Sequence, residues 1–402
     1  MFRLALFLIG TMSVAAAEHT LHSFQRQTLS TEYYCEGAGL GDVSRDGRPD
    51  VVAGPYWYEG PSFEAKHEIY PPKLQNRNRY ADNFFSFVYD FNGDGWGDVL
   101  RIGFPGTPAL VFENPKGKPG HWKRHQVFDW VSNESPTLSD LVGDARPELV
   151  CTRRGQFGYV TVDWENPFGE WTFHAVSGAV APQRFGHGLG VGDVNGDGRR
   201  DIIHKGGWFE QPSTDKETWR ARKFTFTARG GAQMFAYDVD GDGDNDIITS
   251  LAAHEFGLAW FEQMKAEGGG IAFKKHLIMG SARRENKYGV VFSELHATGL
   301  HDIDGDGLKD GDEVDPTKYN SDPLLVDTDD DGFDDKEEAY HGTTARDPSD
   351  FPFIVTRDLD LYYTFRGKAS DYADGDHHGT VKEADLANGR NNKSKNSYFF
   401  TS

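Results

Sequence analysis

The sequence predicts an all-β fold, a β-propeller of four-stranded blades, followed by a short acidic linker. Three observations carry this expectation. A nine-residue acidic pattern recurs through the first three quarters of the chain, a short β-rich run follows most copies, and aromatic and then basic or histidine-bearing segments complete most units.

The acidic pattern places Asp at position 1, Asp or Asn at 3, Asp-Gly at 5 and 6, and Asp at 9. Full copies are Asp90, Asn92, Asp94, Asp98; Asp193, Asn195, Asp197, Asp201; Asp238, Asp240, Asp242, Asp246; and Asp302, Asp304, Asp306, Asp310. A looser copy holds Asp42, Ser44, Asp46 and Asp50, and a degenerate one runs from Asp140 to Glu148 with Val142 at position 3 and Ala145 at position 6. Oxygen ligands on alternate residues wrap one hard cation when the chain turns sharply, and glycine permits that turn. These loops are therefore expected to bind calcium.

The first aspartates stand at 42, 90, 140, 193, 238 and 302, giving steps of 48, 50, 53, 45 and 64 residues. Periods near 40 to 50 residues suggest propeller blades or solenoid units, and the surroundings decide between them. Val51-Val52, Val99-Leu100, Ile202-Ile203 and Ile247-Ile248 follow position 9 as a second strand. Trp57-Tyr58-Glu59, Val111-Phe112-Glu113, Trp208-Phe209-Glu210 and Trp260-Phe261-Glu262 supply a third, and segments around His67, His125, His174 and His276 a fourth. The glycine-lined run Gly186 to Gly192 is an inner strand that crowds a central channel. An EF-hand would need helices beside each loop, and β-branched runs argue against them.

These residues resemble secreted FG-GAP (VCBS) repeat proteins over roughly residues 20 to 310. The resemblance implies a usually seven-bladed ring with calcium loops between the first two strands of each blade. Here five full blades and the inner strand of a sixth are expected, so the ring is incomplete by that standard. In such proteins a short N-terminal strand closes the last blade, and His22 to Leu29 resembles one.

After Asp310 the chain changes character. The loop from Asp302 continues to Glu313, and a second runs through Asp327, Asp329, Asp331 and Asp335 to Glu338. Both place Glu at position 12, where a bidentate carboxylate completes an EF-type calcium site. Residues 302–350 hold 18 acidic and 4 basic side chains, so −14 of the chain's −21 lies there. This segment, 311–350, resembles thrombospondin type 3 repeats, which implies folding around calcium; a solvated acidic linker is the plainer alternative. Residues 351–402 resemble the start of a LamG-like (concanavalin-type) sandwich, too short to complete one, and are expected to be mostly disordered.

Met1 to Ala17 reads as a signal peptide, with a charged start, an apolar stretch and an Ala-rich cleavage site, so secretion is expected. No other run is apolar enough to insert in a membrane. Two cysteines, Cys35 and Cys151, are too few for a disulfide framework and are expected to be free and buried. The acidic balance argues against nucleic acid as a partner.

Six residues before each loop, on the inner strand, stand Glu36, Phe84, Glu134, His187, Ala232 and His296. Equivalent positions point to one end of the channel, so two carboxylates and two imidazoles can converge there and suit a zinc- or manganese-type ion. The alternative is polar lining of a wet tunnel. The propeller also resembles, more distantly, that of aldos-2-ulose dehydratases. This implies elimination of water from a keto-sugar, with His187 or His296 as base and Glu134 as a metal ligand. The resulting expectation is a calcium-stabilised module that binds glycan or extracellular protein. The alternative is a metal-dependent carbohydrate lyase or dehydratase acting at the channel mouth.

Overall fold

The structure, a computed structural model, describes residues 26–214, 217–266, 268–286, 291, 293–300, 321, 327–329, 333, 335–341, 343–350, 384–387 and 397–400. Five four-stranded antiparallel units follow one another, an all-β, propeller-like architecture. Blade 1 comprises β1 (Ala38–Gly41), β2 (Asp50–Ala53), β3 (Tyr56–Tyr58) and β4 (Lys66–Glu68). Blade 2 comprises β5 (Phe85–Tyr89), β6 (Asp98–Ile102), β7 (Thr107–Glu113) and β8 (Lys123–Val131). Blade 3 holds β9 (Thr137–Ser139), β10 (Glu148–Arg153), β11 (Gln156–Thr161) and β12 (Thr172–Ala179). Blade 4 holds β13 (Leu189–Gly192), β14 (Asp201–His204), β15 (Gly207–Glu210) and β16 (Arg220–Lys223). Blade 5 holds β17 (Gln233–Tyr237), β18 (Asp246–Ser250), β19 (Leu258–Lys265) and β20 (Ile271–Met279).

Position 9 of each loop is the first residue of the second strand in all five blades. The apolar residues that follow it are mostly buried because neighbouring sheets pack face to face. The cores accordingly lie between blades. Val52, Ile69, Val99 and Phe112 join blades 1 and 2; Leu100, Val111, Leu149 and Val160 join 2 and 3. Val150, Phe157, Ile202 and Phe209 join 3 and 4, and Ile203, Met234, Ile247 and Phe261 join 4 and 5.

Inner strands approach one another closely, and β13 pairs in parallel with β17. Glycine is required there: a Cβ on Gly190 would lie 1.8 Å from the Met234 carbonyl oxygen. The sixth-blade segment, 294–299, is held beside β17, since the Thr298 N–H donates to the Gln233 side chain at 3.0 Å and Ser250 Oγ donates to the Leu295 carbonyl at 3.0 Å.

The candidate signal peptide lies outside the described residues. So do His22 to Gln25, while residues 26–29 of the expected N-terminal strand are irregular. Beyond residue 300, helix α1 (Asp335–His341) begins at position 9 of the second EF-type loop and carries Glu338, buried like Asp335. Asp302, Asp304, Asp306, Asp310, Glu313 and Asp331 lie outside the described residues. Of 351–402 only the paired strands β21 (Ala384–Ala387) and β22 (Ser397–Phe400) are described.

Candidate functional site

Two kinds of site are built on this frame. The first is the acidic loop. Its position-1 carboxylate accepts backbone N–H groups from positions 4 to 6: Asp193 takes Gly196 at 2.8 Å, Asp197 at 3.1 Å and Gly198 at 2.7 Å. Asp42, Asp90 and Asp238 are held the same way. The position-5 carboxylate caps position 7, as Asp197 does for Arg199 at 2.9 Å. Position 6 is left-handed in every described copy, with φ of +82° at Gly47, +85° at Gly95, +82° at Gly198 and +95° at Gly243. The degenerate loop keeps this wrap around Asp140, with Ala145 forced to φ +66°. The scaffold therefore forms from Asx turns alone, and the remaining oxygens are what a cation can use.

The carboxylate at position 9 does a second job. Asp98 accepts the Phe91 N–H at 3.2 Å and the Asn114 N–H at 2.8 Å, fastening the loop to the residue after the third strand. Asp50, Asp201 and Asp246 make the same pair of ties. Burial pushes Asp98 and Asp201 up to about 7 and Asp246 up to about 6, against the opposing pull of those N–H groups. Asp238, Asp240 and Asp246 bring one oxygen each within 4.8 Å of one another. Neighbouring loops are chained: Gln211 donates to the Leu141 carbonyl at 2.8 Å, Arg200 to the Asp140 carbonyl at 2.7 Å, and Asn245 to the Asp193 carbonyl at 2.8 Å.

The second site lies at the channel mouth. The inner-strand register brings Glu36, Glu134 and His296 to the wall of one cavity of about 960 Å³. His187 joins them, its Nδ1 3.4 Å from Glu134 Oε2. A third imidazole, His254, completes the group, and nitrogens of His187, His254 and His296 all lie within 4.8 Å of one another. The rings meet edge to face at centroid distances of 5.1, 5.5 and 4.8 Å. His254 is off the inner-strand register. It stands on the loop between β18 and β19, seven residues long where blades 1, 3 and 4 use two. That extra length carrying a histidine is the signal by which the sequence could have disclosed it.

Electrostatics fit the clustering. Burial first, then the charges of His254, His296 and Lys205, lower His187 to about 4 and keep its ring neutral. Burial raises Glu134, as does Glu36 across the cavity, while His296 opposes the shift. His296 Nδ1 faces the Glu294 carbonyl at 2.9 Å, which leaves Nε2 for the cavity. Glu36 is fixed by the Ala81 N–H at 2.9 Å and by the Tyr33 hydroxyl, and Tyr33 is raised to about 12, by burial and then by that bond.

The outer histidines are elsewhere. His67 stacks on Trp57 at 4.1 Å and His276 on Trp260 at 4.3 Å, each bonded to the glutamate two residues beyond its aromatic partner. His174 stacks on Tyr159 and reaches Thr161, while His125 reaches Glu113 and stacks on Phe168. Cys35 is half-buried and Cys151 buried; both are free, with Cys35 pushed by burial to about 11.

No family model matches the chain, and no curated protein matches it. Among solved structures it is similar to an Agrocybe aegerita lectin that recognises non-reducing terminal N-acetylglucosamine, at 17% identity and a TM-score of 0.37 over 60% of this chain and 65% of that one. It is also similar to the V. cholerae biofilm matrix protein Bap1, at 15% identity and a TM-score of 0.37 over 60% of this chain and 39% of that one. A third is rhamnogalacturonan lyase YesW, at 14% identity and a TM-score of 0.35 over 61% of this chain and 50% of that one. The chain spans less than two thirds of each. Among the described residues no helix is long and apolar enough to cross a membrane.

Proposed function

We propose that this is a secreted, calcium-stabilised β-propeller that binds a transition metal at its channel mouth and acts there on carbohydrate as a lyase or dehydratase. One observation carries the reading: His187, His254 and His296 converge beside Glu134 at the channel mouth. Three imidazoles suit a zinc- or manganese-type ion better than calcium, and a neutral His187 is in its ligating form. An ion of this kind, once bound, polarises a carbonyl or carboxylate oxygen of a sugar.

The chain's own groups supply the proton chemistry. Glu134, with its affinity for a proton raised by burial, is placed to take a proton from the sugar and return it to the leaving oxygen. This exchanges the roles expected from sequence: the imidazoles are the better ligands and the carboxylate the better base. Glu36, on the same wall, accepts from the Tyr33 hydroxyl behind it. The acidic loops, with oxygen donors only, are the calcium sites.

A binding or adhesion module is the second reading, favoured by exposed aromatic rings at the mouth. Metal content separates the two. Elemental analysis of purified protein is expected to find roughly one transition-metal equivalent per chain beside calcium, as a tetrahedral His-rich site holds one ion. His254→Ala and His187→Ala should lose it and keep the calcium. Calcium alone in the wild type would leave only the binding module.

A further inference from the structure

The long connection between β4 and β5 is basic in an otherwise acidic protein. It carries Lys73, Arg77 and Arg79 into a groove of about 880 Å³ that adjoins the channel cavity, sharing Glu36 and Tyr80 as walls. Arg77 donates to the Thr31 carbonyl. Among the described residues no carboxylate lies within 4.0 Å of Arg77 or Arg79, and Lys73 reaches Asp82 only at 3.9 Å. These are exposed cations without strong partners.

Beside them sits an aromatic surface. Tyr80 is 57% exposed and Phe185 38% exposed, and both pack on Phe104, at 5.6 and 5.2 Å between ring centroids. Phe185 holds φ of +56°, a strained state for a bulky residue, two positions before His187. Arg184, the residue before Phe185, stacks on Trp130 at 4.9 Å.

We infer that this groove binds an anionic glycan, a uronate- or sulfate-bearing chain, and feeds one sugar unit to the metal centre; the delivery step rests on the function proposed above. Aromatic faces suit the apolar faces of pyranose rings, and guanidinium groups pair with carboxylate or sulfate. Glu36 and Asp82, which also line the groove, accept bonds from sugar hydroxyls. They would repel the closely spaced phosphates of a single-stranded nucleic acid, the other ligand for a basic aromatic surface.

The test is affinity electrophoresis of the full chain in gels containing polygalacturonate, alginate or chondroitin sulfate, with neutral galactan and oligothymidylate as comparisons. Retardation is expected with at least one polyanionic glycan and should weaken steeply with salt. Arg77→Ala and Arg79→Ala should each weaken it about tenfold, the size of one lost charge-assisted bond, with the melting temperature unchanged. Tyr80→Ala should weaken it as well. Equal binding of neutral galactan, tighter binding of oligothymidylate, indifference to both arginine substitutions, or no binding of any of the three polyanions would each overturn the inference. His254→Ala separates the two proposals. Arginine-dependent binding in a protein that proves to hold no transition metal ends the enzymatic reading alone, and a metal-loaded protein without such binding ends this one alone.

Discussion

At the scale of single residues, the position-9 aspartates set a pH dependence. The folded pKa values of Asp98, Asp201 and Asp246 lie above the 3.8 of the free side chain. The folded state therefore holds protons that the unfolded chain has released, and the associated stability is lost as pH rises through about 6 to 7. In chelator, the melting temperature is expected to fall between about pH 5 and about pH 8, and calcium, which favours the ionised form, should flatten that slope. A slope unaffected by calcium would mean that these carboxylates face no ion. Asp197 and Asp144 cap their turns identically, at 2.9 Å each, but Asp197 also accepts from the Arg199 guanidinium and the Asn195 amide. Asp197→Ala should cost more stability than Asp144→Ala in calcium, with the difference narrowing in chelator to what those two bonds supply. Ala145→Gly should stabilise by roughly 0.5–1 kcal/mol, measured by denaturant titration, because it relieves a left-handed alanine. The acidic pattern disclosed these aspartates, but not the second role of position 9. Its partners Asn114 and Gln263 are 16 and 17 residues downstream, and no local pattern connects them.

At the scale of elements, most strands were legible because position 9 starts the second strand and, in blades 1, 4 and 5, an aromatic-x-Glu run marks the third. Blade 4 shows how the outer pairing tolerates change. There Arg222 replaces the histidine and binds Glu210 at 2.7 Å opposite Trp208. His254 was not legible by register, since a loop insertion and not a strand delivers it. The links between neighbouring loops were equally hidden, being side chain to backbone across blades. Removing one of them, by Gln211→Ala, leaves the Leu141 carbonyl without its cross-blade donor and should cost roughly 1–2 kcal/mol in chemical denaturation. A silent substitution would make the link ornamental.

At the scale of the whole molecule, calcium is expected to govern stability, since each loop gathers carboxylates whose repulsion a bound cation relieves. Chelation should lower the melting temperature, with recovery in calcium and poor recovery in magnesium, which demands a tighter octahedral shell. An unchanged curve in excess chelator would remove calcium from the account. The period of the acidic pattern announced five complete blades and a partial sixth. Counting six residues back from each first aspartate also leads to the expectation that Glu36 and His296, from the first and sixth units, converge, and they line one cavity.

Because every apolar cluster among the described residues straddles two blades, an interior blade is glued on both faces, whereas blade 1 has one such seam and blade 5 one seam plus its bonds to segment 294–299. Tension applied to the two ends of the chain would thus find its weakest resistance at the outside of the ring. Under a pulling force the protein should come apart like a stack of coins pried from its rims, in successive steps of one repeat each.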